Sequence, residues 1–285
     1  MAASQPAGVV LSVEGLVKHF GPVRAVDGLT FSIREGEIYG LLGPNGAGKT
    51  TTIKSILGLH EVQAGRISVL GDDPLLHPEK AKEHIGYVAE DPLVYGSITP
   101  RELFNFVASI RGLEPAAATQ RATQLLSSLD ALSYYDTLMA TLSHGTKQKM
   151  QVIAAMLHSP KLLILDEPLV GLDAKAARVV KELVSLHLQQ GGSVLLSTHI
   201  MEVAQNLCTR IGVINFGRMV AEGTLEQLRT QEHAAGASLE EVFLKLTDQE
   251  QAVKDAIEGF RQEYRNQNQN QDKNQDQKQN HKPSG

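Results

Sequence analysis

Residues 38–42 have the sequence IYGLL and residues 43–50 the sequence GPNGAGKT, and this stretch decides the fold of the chain. The short apolar run predicts a buried strand, and the second part fits the pattern G-x-x-x-x-G-K-[ST] that opens a helix. Glycines at these positions let backbone N–H groups curl around phosphate oxygens, and a helix N-terminus favours an anion. A glycine-rich turn alone does not explain Lys49 and Thr50 at the required offset. The stretch therefore predicts a nucleotide-phosphate site between a parallel strand and a helix.

The side chains of this loop have separate expected roles. Lys49 is expected to bridge the β and γ phosphates, while the Thr50 hydroxyl is placed to ligate Mg²⁺. Thr51 is expected to contribute its hydroxyl near the α phosphate. The predicted nucleotide-binding residues of the loop are Gly43, Asn45, Gly46, Gly48, Lys49, Thr50 and Thr51.

A second apolar run ends in two adjacent carboxylates. Residues 162–165 have the sequence LLIL and precede Asp166 and Glu167, and ligands of open α/β sheets bind at the carboxyl ends of the strands. We expect Asp166 to hold Mg²⁺ and Glu167 to act as the general base or to orient the attacking water. A solvated turn is the alternative, but an apolar strand followed by Asp-Glu-Pro favours catalysis. Together the two motifs predict a nucleoside triphosphatase.

The rest of the pattern predicts an α/β protein with an additional antiparallel β lobe. Residues 9–37 alternate short apolar stretches with turn-forming Gly, Pro and Asp, which is typical of strands joined by tight turns. From Ile38 onward, apolar runs alternate with segments of helical periodicity, the order of a parallel sheet with crossover helices. Residues 99–128 are rich in Leu, Ala, Glu and Gln, which predicts helices that protrude as a subdomain.

Three regions are expected along the chain. Residues 9–230 form the nucleotide-binding domain, with the helical subdomain at about 95–155, and residues 231–261 form a C-terminal helical extension. Residues 262–285 are expected to be disordered, because eleven of the fifteen residues from 266 to 280 are Asn or Gln and none is apolar.

Composition restricts the class of protein. A net charge of -5 and a pI near 6.1 argue against an extended basic surface, so no nucleic-acid partner is expected. The single cysteine, Cys208, cannot form an internal disulfide, which favours a reducing compartment. The N-terminus does not resemble a secretory signal, and the longest apolar runs fall far short of the ~20 residues that span a bilayer. A role at a membrane would therefore need another chain to supply the membrane part.

Four further features resemble the ATP-binding cassette (ABC) family. Residues 142–148, LSHGTKQ, resemble the signature usually written LSGGQ, and residues 171–173, GLD, resemble the D-loop. His199 ends another apolar strand and is similar to the switch histidine of that family. Phe20 lies where the family places an aromatic that stacks on adenine, although a core aromatic of the β lobe is the alternative. The resemblance runs in the family's order and spacing over about residues 11–228.

The resemblance implies a mechanism. Two ATPase subunits, as a homodimer or a heterodimer, would pair head to tail and enclose two ATP molecules between the phosphate loop of one and the signature of the other. Hydrolysis would reopen the dimer, and the motion would drive a separate transmembrane permease subunit. The implied location is cytoplasmic, peripheral on the inner face of the cell membrane. The implied catalytic residues are Lys49, Glu167 and His199, and those acting across the dimer are Ser143, His144, Gly145, Thr146 and Asp173.

The direction of transport is inferred from the end of the domain. Residues 238–243, SLEEVF, resemble ATPase subunits of ABC-2 type exporters, including antibiotic-resistance exporters. Two alternatives stay open at this point: a soluble ABC ATPase that is not coupled to transport, and an ATP-binding module that hydrolyses weakly.

One position departs from the family in a way that affects charge. Residues 87–91, YVAED, stand where the family has Tyr-Val-Pro-Gln, so Glu90 replaces the Q-loop glutamine. A carboxylate there can still ligate Mg²⁺ but adds negative charge near the triphosphate. We therefore expect Glu90 to join Thr50 and Asp166 as a metal ligand, with a solvated Glu90 as the alternative. In the signature, His144 replaces a glycine and Thr146 replaces the glutamine, and we infer no loss of function from either.

Overall fold

Two sheets of different topology organise the chain, whose computed structural model describes residues 8–261. The tail expected over 262–285 lies outside the described residues. The strands are β1 (Val9–Phe20), β2 (Val23–Arg34), β3 (Ile38–Leu42), β4 (Ala64–Val69), β5 (Ile85–Val88), β6 (Leu162–Asp166), β7 (Ser193–Ser197), β8 (Arg210–Asn215) and β9 (Arg218–Gly223). Their arrangement confirms the predicted combination of an antiparallel lobe and a parallel sheet. One sheet has the order β2-β1-β4 and is antiparallel, and the other has the order β5-β6-β7-β3-β8-β9.

Nine helices longer than one turn lie between residues 49 and 246, seven of them before the last strand and two after it. They are α1 (Lys49–Ile56), α2 (Pro78–Glu83), α3 (Pro100–Ile110), α4 (Pro115–Ser128), α5 (His144–Met156), α6 (Ala174–Gln189), α7 (Met201–Leu207), α8 (Leu225–Gln231) and α9 (Leu239–Leu246). Two short 3-10 turns, Leu132–Tyr134 and Met139–Thr141, lie between α4 and α5, and residues 250–261 form a further helix. No helix within residues 8–261 has the length and apolar character needed to cross a membrane.

The central strands are buried on both faces, which is why their sequences are apolar runs without alternation. Leu163 and Leu165 of β6 pack in the cluster that includes the helices α3 to α6. The neighbouring residues Leu162 and Ile164 belong instead to the cluster that joins α1 and the antiparallel lobe, because successive side chains of a strand point to opposite faces. A third cluster packs α7, α8 and α9 against β8 and β9. The sheet thus holds the ends of β3, β6 and β7 in fixed relative positions.

Two elements differ from the sequence-based expectation. β4 follows α1 in the chain but returns to pair with β1, so the antiparallel lobe includes a strand from outside residues 9–37. β9 pairs antiparallel with β8 at the edge of the otherwise parallel sheet. This hairpin turns at Phe216 and Gly217, both with positive φ (47° and 77°), the backbone that a two-residue hairpin turn requires.

Candidate nucleotide-binding and hydrolysis site

The predicted phosphate loop connects β3 directly to α1. Gly48, with φ 105°, precedes the first turn of α1, which has no side-chain cap and no acidic residue. The N–H groups at this helix start are therefore suited to an anionic ligand. A side chain is excluded at two positions of the loop, because a Cβ on Gly43 would lie 2.4 Å from the Ile214 carbonyl oxygen and one on Gly48 would lie 2.3 Å from that of Ala25.

Lys49 is buried and is held across the loop. Its Nζ donates to the carbonyl oxygens of Gly43 at 2.8 Å and Pro44 at 3.2 Å. Burial lowers the pKa of Lys49, and the nearby charges of Glu167, Asp166 and Glu90 oppose that shift. The ammonium group is thus positioned at the loop, where the charges of these three carboxylates favour its protonated form. Thr50 and Thr51, the following residues, are half-buried at the start of α1.

Asp166, at the carboxyl end of β6, is a buried carboxylate without a hydrogen-bonding partner. The residue is 1% exposed, and neither oxygen has a partner among the described residues. A buried charge without a partner is costly, so this carboxylate fits a site for a cation. Carboxylate and hydroxyl oxygens are the ligands that Mg²⁺ prefers, and the predicted donors Asp166, Thr50 and Glu90 are of this chemistry. No cluster of three or more His, Cys, Asp or Glu side chains arranged for a metal ion occurs within residues 8–261.

Glu167 and His199 meet because β6 and β7 are neighbours. The Glu167 Oε1 lies 2.8 Å from His199 Nδ1, and the Glu167 amide donates to the Ser197 carbonyl oxygen at 2.9 Å. The second oxygen, Oε2, is buried without a hydrogen-bonding partner in the described part of the chain. Glu167 also has φ 48°, a left-handed conformation that costs roughly 1 to 3 kcal/mol for a non-glycine residue. Strain of this kind concentrates at functional sites.

The signature-like turn starts α5 and packs on the D-loop-like segment. Ser143 caps the helix, its Oγ accepting from the Thr146 amide at 3.2 Å and sharing a hydrogen bond with Thr146 Oγ1 at 2.9 Å. A Cβ on Gly145 would lie 2.2 Å from the Gly171 carbonyl oxygen, and one on Gly171 would lie 2.6 Å from His144 Nδ1. No hydrogen bond or ion pair between residues 8 and 261 links this turn to the phosphate loop.

Asp173 joins the signature helix to α6. Its Oδ1 accepts from the Ala176 amide at 2.8 Å, so it caps α6, and its Oδ2 lies 3.2 Å from Lys149 Nζ. The Ala176 amide and then Lys149 lower the pKa of Asp173. The carboxylate is more than half exposed, so part of it stays available for another contact.

Phe20 and Glu90 lie at exposed positions. Phe20 is 46% exposed at the end of β1, contacts His60 edge-on at 5.3 Å, and has Lys18 Nζ at 4.9 Å from its ring centre, so it is not part of the β-lobe core. Glu90 follows β5. Burial, together with the charges of Asp166 and Glu90, raises the pKa of Tyr87 to about 12. Glu90 is therefore electrostatically coupled to the same region as Asp166.

Two residues of α5 with contacts at the site were not predicted from the sequence. Gln148 and Gln151 are buried and bond to the segments beside Glu90 and Glu167. The sequence pattern could have indicated them, because two glutamines three residues apart fall on the face of α5 that also buries apolar side chains.

Comparison with known proteins agrees with this geometry. A family model described as "ABC transporter" matches residues 26–170. The chain is 36% identical to the Nod factor export ATP-binding protein I of Ralstonia nicotianae, over 82% of this chain and 72% of that protein. It is 37% identical to the linearmycin resistance ATP-binding protein LnrL of Bacillus subtilis, over 77% of this chain and 70% of that protein.

A solved structure described as an ATP binding subunit of an ABC transporter superposes with a TM-score of 0.80 at 35% identity, covering 83% of this chain and 99% of the other. Its similarity extends over most of the described residues. The fold, the order of the motifs and these relatives lead to one conclusion: the chain belongs to the ATP-binding cassette transporter ATP-binding family.

Proposed function

We propose that the chain is the Mg²⁺-dependent ATPase subunit of an exporter, with Lys49, Glu167 and His199 as its catalytic residues. The observation that carries this proposal is the position of Glu167. Its backbone is strained, and one oxygen is held by His199 at 2.8 Å. The other oxygen is buried and, like the Asp166 carboxylate, has no hydrogen-bonding partner among residues 8–261. A carboxylate so placed is available to accept a proton.

The reaction is attack of water on the γ phosphorus of ATP. Glu167 Oε2 orients the water and takes its proton while the bond between the γ phosphorus and the bridging oxygen breaks, giving ADP and inorganic phosphate. His199 keeps the Glu167 carboxylate in place, and Lys49 stabilises the charge on the phosphates. Mg²⁺, held by Asp166 and Thr50 with Glu90 as a further ligand, would supply neutralisation of the triphosphate charge.

A second ATPase subunit completes the site in this proposal. Ser143 and the Gly145 amide lie at the N-terminus of α5, where a γ phosphate is favourably bound, yet within residues 8–261 no hydrogen bond or ion pair joins them to the phosphate loop of their own chain. Both observations agree with a head-to-tail homodimer or heterodimer, in which the N-terminus of α5 in one subunit binds the γ phosphate held by the phosphate loop of the other. His144, Thr146 and the partly exposed Asp173 border the same surface, and Phe20 is exposed for stacking on adenine.

The proposed membrane partner docks beside the loop of Glu90. A cavity of about 310 Å³ lies between the sheet and the helical subdomain and is lined in part by Leu59, Tyr87 and Ile110. Leu93 and Tyr95, in the loop after Glu90, are 73% and 78% exposed. An apolar surface of this kind fits a helix of a transmembrane permease subunit. The export names of the relatives and the SLEEVF segment favour export, and the location would be the cytoplasmic face of the membrane.

The test of catalysis is Glu167→Gln in the full chain. We expect hydrolysis of Mg-ATP to fall by ~10² to 10⁴ fold, because the base is lost while the shape of the side chain is kept. ATP binding should persist, and light scattering after size exclusion should show an ATP-dependent dimer. Glu240→Gln, on the exposed face of α9, is the matched control and should behave as the parent. Hydrolysis by Glu167→Gln at the parent rate would refute the assignment.

The test of coupling is co-purification with a polytopic membrane protein. The exporter proposal expects such a complex to form and to stimulate ATP hydrolysis. Recovery of the chain only with soluble partners would favour the alternative of a soluble ABC ATPase. Binding of ATP without release of phosphate by the chain or its complex would favour the weakly hydrolysing module.

A further inference from the structure

Helix α5 buries two amide side chains on the face that packs against the sheet. Gln148 is fully buried and Gln151 is 8% exposed. Burying an amide without hydrogen bonds costs roughly 1 to 3 kcal/mol, so such side chains are retained where they have specific partners. Each amide bonds to the backbone of a segment outside α5, and the two amides also bond to each other.

Gln151 clamps the backbone of one residue. Its Oε1 accepts from the Ala89 amide at 3.4 Å, and its Nε2 donates to the Ala89 carbonyl oxygen at 3.3 Å. Ala89 is buried and immediately precedes Glu90. The clamp therefore fixes the point at which the Glu90 segment leaves β5.

Gln148 extends the connection to the other carboxylate segment. Its Nε2 donates to the carbonyl oxygens of Ala89 at 3.5 Å and Pro168 at 3.4 Å, and its Oε1 accepts from Gln151 Nε2 at 3.2 Å. Pro168 immediately follows Glu167. One buried network thus joins α5, whose first residue follows Ser143, to the backbone beside Glu90 and the backbone beside Glu167.

We propose that Gln151, supported by Gln148, is a positioning residue that holds Glu90 and Glu167 in register with the signature helix. The inference rests on the proposed function of Glu90, Glu167 and Ser143. A helix is a rigid element, so a displacement of α5 when Ser143 engages phosphate is transmitted through the network to both carboxylate segments at once. Neither glutamine touches the reacting atoms; they act through the backbone of Ala89 and Pro168.

A purely structural role is the competing explanation. In that case the pair only satisfies the polar groups of Ala89 and Pro168, and its loss would lower stability without a selective effect on metal use. The two explanations differ in one measurable respect. A positioning role through Glu90 makes the effects of Gln151 and Glu90 interdependent, whereas a structural role leaves them additive.

The test is Gln151→Met in the full chain, which removes the amide and keeps a side chain of similar length. Met150→Leu, a buried apolar replacement in the same helix with no bond to either segment, is the matched control. We expect faster hydrogen exchange in the peptide containing Ala89 and Glu90 for Gln151→Met only. We also expect a kcat lower by about tenfold and a higher Mg²⁺ concentration for half-maximal hydrolysis. ATP affinity in EDTA should stay within about twofold of the parent, since the phosphate loop belongs to other elements.

The single variants Glu90→Gln and Gln151→Met and their combination form a double-mutant cycle. We expect the double variant to lose little more than Gln151→Met alone, because an unpositioned Glu90 has already lost its role. Additive losses, or exchange at Ala89 and Glu90 equal to that of the Met150→Leu control, would overturn the proposal. If the parent chain does not hydrolyse ATP, the proposed function fails. The same four proteins are then compared by their Mg²⁺-dependent nucleotide affinity. Together with the hydrogen-exchange data, these affinities still decide whether Gln151 positions Glu90.

Discussion

Replacement of Gly145 by alanine tests whether the signature turn must lie close against the D-loop-like segment. Gly145 lies in the first turn of α5 with no positive φ, so the local backbone accepts alanine. Alanine is favoured over glycine inside a helix by roughly 1 kcal/mol. Local propensity therefore predicts a gain in stability, and any loss must come from the tertiary contact.

The expected effect of Gly145→Ala follows from the distance between the added Cβ and the Gly171 carbonyl oxygen. The added Cβ would lie 2.2 Å from the Gly171 carbonyl oxygen, whereas ordinary van der Waals contact begins at 3.4 Å, so the two segments must separate by about 1.2 Å. Such overpacking costs typically ~1 to 3 kcal/mol. A misplacement of ~1 Å at a catalytic constellation costs up to 10²-fold in rate. We expect hydrolysis by Gly145→Ala to fall by roughly 10- to 100-fold.

The assay measures steady-state ATPase activity, ATP binding by the single subunit and the melting temperature. ATP binding should be unchanged, because the phosphate loop lies on β3 and α1. Gly259→Ala is the matched control, since that glycine lies in the helix over 250–261 and no atom of the described residues lies within 4 Å of the added Cβ. Activity of Gly145→Ala within about twofold of the parent, with equal melting temperatures, would refute the reasoning from this contact.

Two other predictions concern charge. Replacing Glu90 with Gln should weaken Mg²⁺ binding, because a charged oxygen ligand is lost. It should strengthen nucleotide binding in EDTA, because repulsion of the triphosphate is relieved. Identical Mg²⁺ titrations and identical nucleotide affinities in EDTA for the parent and the variant would show Glu90 to be solvated. Burial lowers the pKa of His158 from 6.5 to about 4. The unfolded chain then binds the proton more readily, so stability is kept above pH 6.5 and falls as the pH drops from about 6.5 towards 4. Between pH 7.5 and pH 5, the melting temperature of His158→Gln should fall less than that of the parent chain. An equal fall in the two proteins would contradict the role of His158.

The sequence by itself determined the chemistry that depends on short spacings. The loop from Gly43 to Thr50 and the carboxylates at the end of an apolar run were predictable, because each motif needs only consecutive residues whose backbone geometry is set locally. Alternation of apolar runs with helical segments likewise predicted the parallel sheet. The residue roles at these motifs stay predictions to be tested by the substitutions above.

Only the tertiary structure decided which of these segments meet. His199 reaches Glu167 across 32 positions of sequence because β6 and β7 are adjacent in the sheet. Gln151 reaches Ala89 across 62 positions, and Gly145 meets Gly171 because α5 and the segment after β6 pack together. Strand order and helix packing are set by burial of apolar surface over the whole domain. This force is not directional, so the sequence pattern indicates which side chains are buried but not which segments they contact. Motifs therefore supplied the reactive groups, and packing supplied their partners.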